Sequence, residues 1–313
     1  MITVARFRSV SASVVIAMTC GLLLPLACAR AHTGSRVYAT AEDAVRALTE
    51  AAKQGNLNEV VAIFGPEGQT LIDTSDPAAA RRAQQVFTAA VAERWRLENE
   101  GDNRRVLVIG KEAWPFPVPL VKDTSGWRFD TAAGKEEIIA RRIGRNELAA
   151  IRICRTYVAA QRLYAERGHD GRPAGLFAST FRSAPGRENG LYWPAVHGQR
   201  RSPLGDLVAH AAEEGQRPNQ DGAQPSPFHG YYFRILTAQG ADAPGGALDY
   251  LVDGQLTRGF ALVAWPAQYD MTGVMTFMVN HDGIVREKDL GSGTNGGQAV
   301  RAFNPDASWT AVQ

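Results

Sequence analysis

Gly230-Tyr231-Tyr232-Phe233-Arg234-Ile235-Leu236, Phe260-Ala261-Leu262-Val263-Ala264-Trp265, Val274-Met275-Thr276-Phe277-Met278-Val279 and Ile284-Val285-Arg286-Glu287-Lys288 punctuate the stretch from His229 to Leu290. Each run is short, rich in aromatic and β-branched residues, and bounded by Gly, Pro, Asn or Asp, which describes strands joined antiparallel. The last two are separated by Asn280-His281-Asp282-Gly283, turn formers with a glycine free to take positive φ. The stretch therefore predicts a meander of about four strands, with an apolar face that a helix must cover.

That helix lies upstream. From about Ala133 to Arg167 the sequence is helical, with a possible bend at Gly144, and Ile143, Glu147, Ile151, Cys154 and Val158 form one stripe. Tyr157 and Tyr164 lie close to it. Residues 168–228 are rich in Gly, Pro, Arg and Asn and read as a surface loop with one helical island, Leu204 to Glu214. Before residue 133 come three helices and a small sheet. Thr40 caps the first helix, whose stripe is Val45, Leu48 and Ala52. Asn56 starts the second, expected to bury Leu57, Val60, Val61 and Phe64. Asp76-Pro77 opens the third, with a stripe of Ala83, Val86, Phe87, Ala90, Val91 and Trp95. Strands are expected at Arg105–Ile109, Pro119–Lys122 and Gly126–Phe129. Between them Trp114-Pro115-Phe116-Pro117-Val118-Pro119 carries proline at alternate positions, which confines it to an extended edge. The fold class is α+β, in two parts: 32–132, helices with a small antiparallel sheet, and 133–313, a long helix, loop region and meander.

The first residues carry an export signal. Arg6 and Arg8 precede an uncharged apolar run, and Ala27-Cys28-Ala29 and Ala29-Arg30-Ala31 offer signal-peptidase sites near Ala29 or Ala31. Two minority readings tie the chain to a membrane: an uncleaved anchor, and a lipid on Cys28, where Pro25-Leu26-Ala27 departs from a lipobox. Removing residues 1–31 takes Arg6, Arg8 and Arg30 away and moves the net charge from +2 to −1. A near-neutral chain gives no reason to expect nucleic acid. Of the three cysteines Cys154 would remain, too few for an internal disulfide, and its apolar setting points to a structural thiol.

Candidates for chemistry are few. Glu147 sits on an apolar helical stripe, where it needs a partner. Arg141, Arg142 and Arg145 offer a structural brace, and His229 or His281 an acid–base pair. His169-Asp170-Gly171 reads as a turn, since the further acids of a calcium loop are missing. No metal-ligand spacing, phosphate loop or dinucleotide fingerprint is present, so no cofactor or metal is expected. Gly291-Ser292-Gly293-Thr294-Asn295-Gly296-Gly297 reads as a flexible linker. Trp114, Tyr192, Trp193, Tyr231 and Trp265 are the candidate binding aromatics, groove and core weighing equally for Trp114 and Trp193.

Several phrases together resemble one bacterial family. They are Trp114-Pro115-Phe116-Pro117, Arg141-Arg142-Ile143-Gly144-Arg145-Asn146-Glu147-Leu148, Gly190-Leu191-Tyr192-Trp193-Pro194, His229-Gly230-Tyr231-Tyr232-Phe233-Arg234, Ala264-Trp265-Pro266 and Phe277-Met278-Val279-Asn280-His281-Asp282-Gly283. On them the chain is identified as a member of the exported bacterial "domain of unknown function 2950" family, a resemblance that implies export and assigns no catalytic residue. More loosely, the 133–313 half is similar to pseudopilin headgroups, and the order of elements before it to half of a nuclear-transport-factor-like cone. A pilin keeps its apolar N-terminal helix contiguous with the head, whereas about a hundred residues intervene here. The sequence thus predicts a non-catalytic envelope protein that binds a protein or polymer partner. A hydrolase-like enzyme using Glu147 with His229 or His281, and a pilin-like subunit, are the alternatives.

Overall fold

The computed structural model of the chain describes residues 34–71, 77–194, 201–204, 227–293 and 296–312. The first 33 residues, where an export signal is expected, with Cys20 and Cys28, and all of the expected helical island except Leu204 lie outside these residues. In the first half, Thr40 Oγ1 accepts the Asp43 N–H at 3.1 Å and starts α1 (Ala41–Lys53), which Gly55 ends at a positive φ of 65°. Asn56 Oδ1 does the same for Glu59 N–H at the start of α2 (Leu57–Phe64). Here burial differs from expectation. Leu57 stands in the first turn, 48% exposed, while Ile63 and Phe64 point inward.

A single turn, α3 (Gly68–Leu71), precedes α4 (Pro77–Glu93). The expected stripe of α4 is too long at both sides: Val86 is 69% exposed, and Trp95 is not helical. Gly110 N–H donates to the Ala90 and Arg94 carbonyls and closes the helix. Trp95 instead opens β1 (Trp95–Asn99), opposite Ile109 of β2 (Arg104–Ile109). The other edge of β2 receives β4 (Leu120–Asp123) at Arg104-Arg105 and β3 (Trp114–Pro115) at Val108-Ile109. These two are one strand interrupted where Pro117 and Pro119 have no N–H to give. β5 (Gly126–Phe129) pairs with β4 and alternates cleanly, Trp127 and Phe129 in, Arg128 out. Ala44, Val45 and Leu48 of α1 meet Ile63, Phe64, Leu107, Ile109, Trp127 and Phe129 in the first core. Each large side chain buried there contributes about 1.5–3 kcal/mol.

The long helix, α5 (Thr131–Ala165), starts and ends within two residues of expectation and stays a single helix through Gly144. Asp130 caps it, accepting the Ala133 N–H. Its first turn belongs to the first core: Thr131 Oγ1 donates to the Phe64 carbonyl at 2.7 Å, and Gly134 lies against Val118 so closely that a Cβ would come within 2.6 Å of Cγ2. Its second half lies over the C-terminal sheet. The strands of that half are β6 (Tyr231–Leu236), β7 (Ala238–Gln239), β8 (Leu248–Asp249), β9 (Leu251–Val252), β10 (Gln255–Leu256), β11 (Ala261–Pro266), β12 (Met275–Asn280), β13 (Arg286–Asp289) and β14 (Thr310–Ala311). The main sheet runs β14-β13-β12-β11-β6, every pairing antiparallel.

Both faces of this sheet are covered. Leu262, Ala264, Phe277 and Val279 join Cys154, Tyr157 and Val158 of α5, while Ala261, Val263 and Met278 join Tyr250, Leu256 and Phe303 on the other side. The second cover is the excursion between β6 and β11, two small hairpins, together with the Phe303 region. Period-2 reading cannot separate the two faces of a strand that is apolar throughout, which is why Ala261–Ala264 are all buried.

The segment after α5 is irregular but not superficial, contrary to the expected surface loop. Ala178, Leu191 and Trp193 are buried in the α5 core. The fully buried Gln161 side chain holds Ala178 by its backbone at both ends: Nε2 donates to the carbonyl at 2.7 Å and Oε1 accepts the N–H at 2.8 Å. Gln161 Nε2 also reaches Tyr157 Oη, which donates to the Ala261 carbonyl, so helix, loop and sheet share one satisfied polar network. The Gly291–Gly297 run, read as a linker, ends in a 3-10 turn (Gly297–Ala299) whose Gly297 is buried against Trp265.

Candidate functional site

Glu147 is partnered by backbone. Its Oε1 accepts the Val274 N–H at 2.9 Å and the Met275 N–H at 3.0 Å, where the chain enters β12. The neighbouring Asn146 Nδ2 donates to the Thr272 carbonyl at 2.8 Å. Two consecutive side chains of α5 thus grip the loop before β12. The expected arginine brace is not what holds Glu147: Arg141 donates to Glu137 and to the Pro115 carbonyl. Tyr231 is fully buried beside this grip, donates to the Met275 carbonyl at 2.9 Å, and has its phenol pushed up by burial and then by the Glu147 charge. Glu287, opposite Phe277 on β13, is likewise raised, first by burial and then by Glu147. Sequence reading missed Glu287, since nothing in Arg286-Glu287-Lys288 marks which residue turns inward.

The three residues of the acid–base reading do not all lie together, since His281 is remote from Glu147. His229 adjoins Gly230, which takes φ 72° and packs so tightly that a Cβ would lie 2.5 Å from Asn146 Nδ2. The His229 ring leans on Phe228 at 4.4 Å. His281 lies past the opposite end of β12, six residues beyond Met275 and so roughly 20 Å from the Glu147 grip. There it contacts Tyr250 and Phe260 edge-on at 5.9 and 6.3 Å. Among the described residues no three His, Cys, Asp or Glu side chains are placed to hold a metal ion. Cys154 is buried, and burial pushes its thiol up to about 12.

The candidate aromatics divide by burial. Tyr231 and Trp193 (5% exposed) are core residues, so of the two alternatives weighed for Trp193 its burial favours core, and Tyr231 is not an exposed contact. Trp265 and Tyr192 are half-buried beneath Arg234 (4.9 Å) and Arg182 (5.4 Å). Arg234 is itself tied down, its Nη2 donating to the Val300 carbonyl at 2.6 Å. Trp114 is different: it is 46% exposed on the short strand β3, with the Arg141 guanidinium 5.3 Å from its ring centre and Phe116 edge-on.

A recess that the sequence did not suggest opens where α5 ends. Its walls carry Arg167, His169, Arg172, Ser179, Asn189 and Gln255, and it encloses about 20 Å³, room for one small group. His169 does form a turn, with Asp170 and Gly171 at positive φ, but its ring is buried and stacked 4.0 Å from Tyr164. Its two nitrogens face Glu188 Oε2 at 3.2 Å and the Tyr164 carbonyl at 3.0 Å. Asp170 is held below the usual carboxylate range, chiefly by the Glu188 N–H and then by Arg187. The turn was legible in His169-Asp170-Gly171; the burial of its ring depends on Trp193 and Glu188 arriving from about twenty residues away.

The family model described as "Protein of unknown function (DUF2950)" matches residues 35–312. The chain belongs to this family. The match spans both halves and all the phrases that resembled it. Asn146-Glu147 and Gly230-Tyr231, from two of those phrases, are the residues that meet in the grip on β12. No curated protein and no solved structure matches this DUF2950 chain, so the pseudopilin and cone likenesses rest on sequence order alone. No described helix is long and apolar enough to cross a membrane.

Proposed function

We propose that the chain is an exported cell-envelope protein that binds a partner and does not turn over a substrate. The observation that carries this is the bonding of Glu147: the one carboxylate on the apolar stripe has an oxygen engaged by two backbone N–H groups at a strand entrance, a structural task. The exposed, arginine-covered Trp114 supplies a contact point of the kind enriched at interfaces. Export rests on the Arg6/Arg8, apolar-run and Ala-x-Ala sequence of the first 31 residues. The hydrolase-like alternative draws on the neighbouring Glu147 and Glu287 carboxylates.

The experiment is site-specific photocross-linking in cells that export the protein, with a photoreactive amino acid at Trp114 and, as a buried control, at Trp193. Discrete adducts at 114 and none at 193 are expected, on a chain whose mature N-terminus, read by mass spectrometry, falls near residue 30 or 32. Turnover of an envelope substrate that disappears in Glu147→Gln, with the fold intact, overturns the reading.

A further inference from the structure

We infer that the recess at the C-terminal end of α5 is an oxyanion site, which binds the terminal carboxylate or phosphate of a larger envelope molecule. The inference rests on the binding-protein reading above and names the chemistry of what is bound.

Charge is the first argument. Arg167 and Arg172 line the recess, and no Asp or Glu does. Of the neighbouring acids, Glu188 faces His169, and Asp170 takes the Glu188 N–H and Arg187 and also feels the Arg172 charge. Arg167 and Arg172 have no ion pair among the described residues, and both are exposed, so their guanidinium groups are available to a ligand. Two exposed guanidinium groups on one recess favour an oxyanion, because each presents N–H pairs in the fork that a carboxylate or phosphate matches. Ser179, Asn189 and Gln255 also line the recess, residue types that carry hydroxyl and amide donors.

Construction is the second argument. The floor does not depend on the ligand. His169 is stacked on Tyr164 and lies 5.7 Å from the buried Trp193 ring, and the segment behind it is pinned by Gln161. The site is therefore preformed, which lowers the ordering cost of binding. Size is the third. A free volume of about 20 Å³ has room for about one water-sized group, so only the charged tip of a ligand enters and the rest lies outside on the surface.

Titration calorimetry of the full mature chain at low salt tests this, with four probes: inorganic phosphate, acetate, an N-acetylated dipeptide with a free C-terminal carboxylate, and the same dipeptide as its amide. Saturable binding of the free-acid peptide or of phosphate is expected, and which of the two binds tells the carboxylate source from the phosphate source. The amide should bind at least about tenfold more weakly than the acid if the source is a carboxylate. R167Q/R172Q should weaken binding about tenfold or more, while the distant R96Q leaves it unchanged. Where the double variant loses its circular dichroism spectrum, either single variant, each at an exposed position, should still weaken binding roughly threefold. The inference is overturned if no probe saturates, if acid and amide bind alike and phosphate does not bind, or if the arginine variants keep wild-type affinity. Cross-links at Trp114 without any oxyanion titration would leave the binding-protein reading standing and remove this one; oxyanion binding without cross-links does the reverse.

Discussion

Removing the Glu147 carboxylate should loosen the entrance of β12, and the size of the loss distinguishes a brace from an idle charge. In Glu147→Ala the Val274 and Met275 N–H groups, 2.9 and 3.0 Å from Oε1, lose their acceptor in a part-buried place. A hydrogen bond to a charged group contributes about 1.5–3 kcal/mol. Because one oxygen serves both donors the two do not add in full, and a loss of about 2–4 kcal/mol is expected. Glu147→Gln keeps an acceptor oxygen but gives up the charge, so its bonds fall to about half strength. It also relieves Glu287, whose proton affinity the Glu147 charge raises. The net cost of Glu147→Gln should be about 1 kcal/mol or less. Urea denaturation followed by circular dichroism reads both: with a slope of about 3 kcal/mol per molar, the alanine variant's midpoint drops by roughly 1 M. An alanine variant within about 0.5 kcal/mol of wild type, or a glutamine variant as unstable as the alanine one, would refute the reasoning.

Three further outcomes follow from burial. Glu287 has its carboxyl raised by burial and then by Glu147, so its contribution to stability is full below the ordinary value of 4.5 and is lost as pH rises through the raised folded value. Glu287→Gln should therefore be the more stable protein at neutral pH, with a flatter profile above pH 4.5, and parallel pH profiles for the two proteins would contradict this. Cys154, its thiol pushed up to about 12 by burial, should resist a thiol reagent in the folded protein and react at once in denaturant. The same shift withdraws stability as pH climbs from 9.0 towards 12. Trp193→Ala should cost about 3–5 kcal/mol and Trp114→Ala under about 1 kcal/mol, since the first empties a core site and the second gives up an exposed cation–π contact. Equal losses in denaturant titration would count against that division.

What could be read before the structure was mostly periodic or punctuated. The α5 stripe, the caps at Thr40 and Asn56, the four meander runs and the proline-broken edge all act through neighbours in sequence, so their signals are local. Trp95 was misread because i, i+12 spacing continues a helical face whether or not the helix does; the Gly110 N–H that closes α4 comes from beyond the next strand. Trp193 and the recess were hidden for a different reason. They depend on Gln161 drawing Ala178 onto α5, a contact that no composition rule anticipates. Glu147 showed itself as a carboxylate needing a partner, but the partner was main chain, and main chain leaves no mark in a sequence.

The helix that begins against Phe64 and Val118 is the same helix that ends beside the recess. Its 35 residues make a stiff lever roughly 50 Å long. A tilt of about 5° at Thr131 would swing the far end by about 4 Å. Because Glu147 and Gln161 fasten its second half to the C-terminal sheet and to the segment beyond, such a tilt must be taken up where the helix starts, at Thr131 and Gly134.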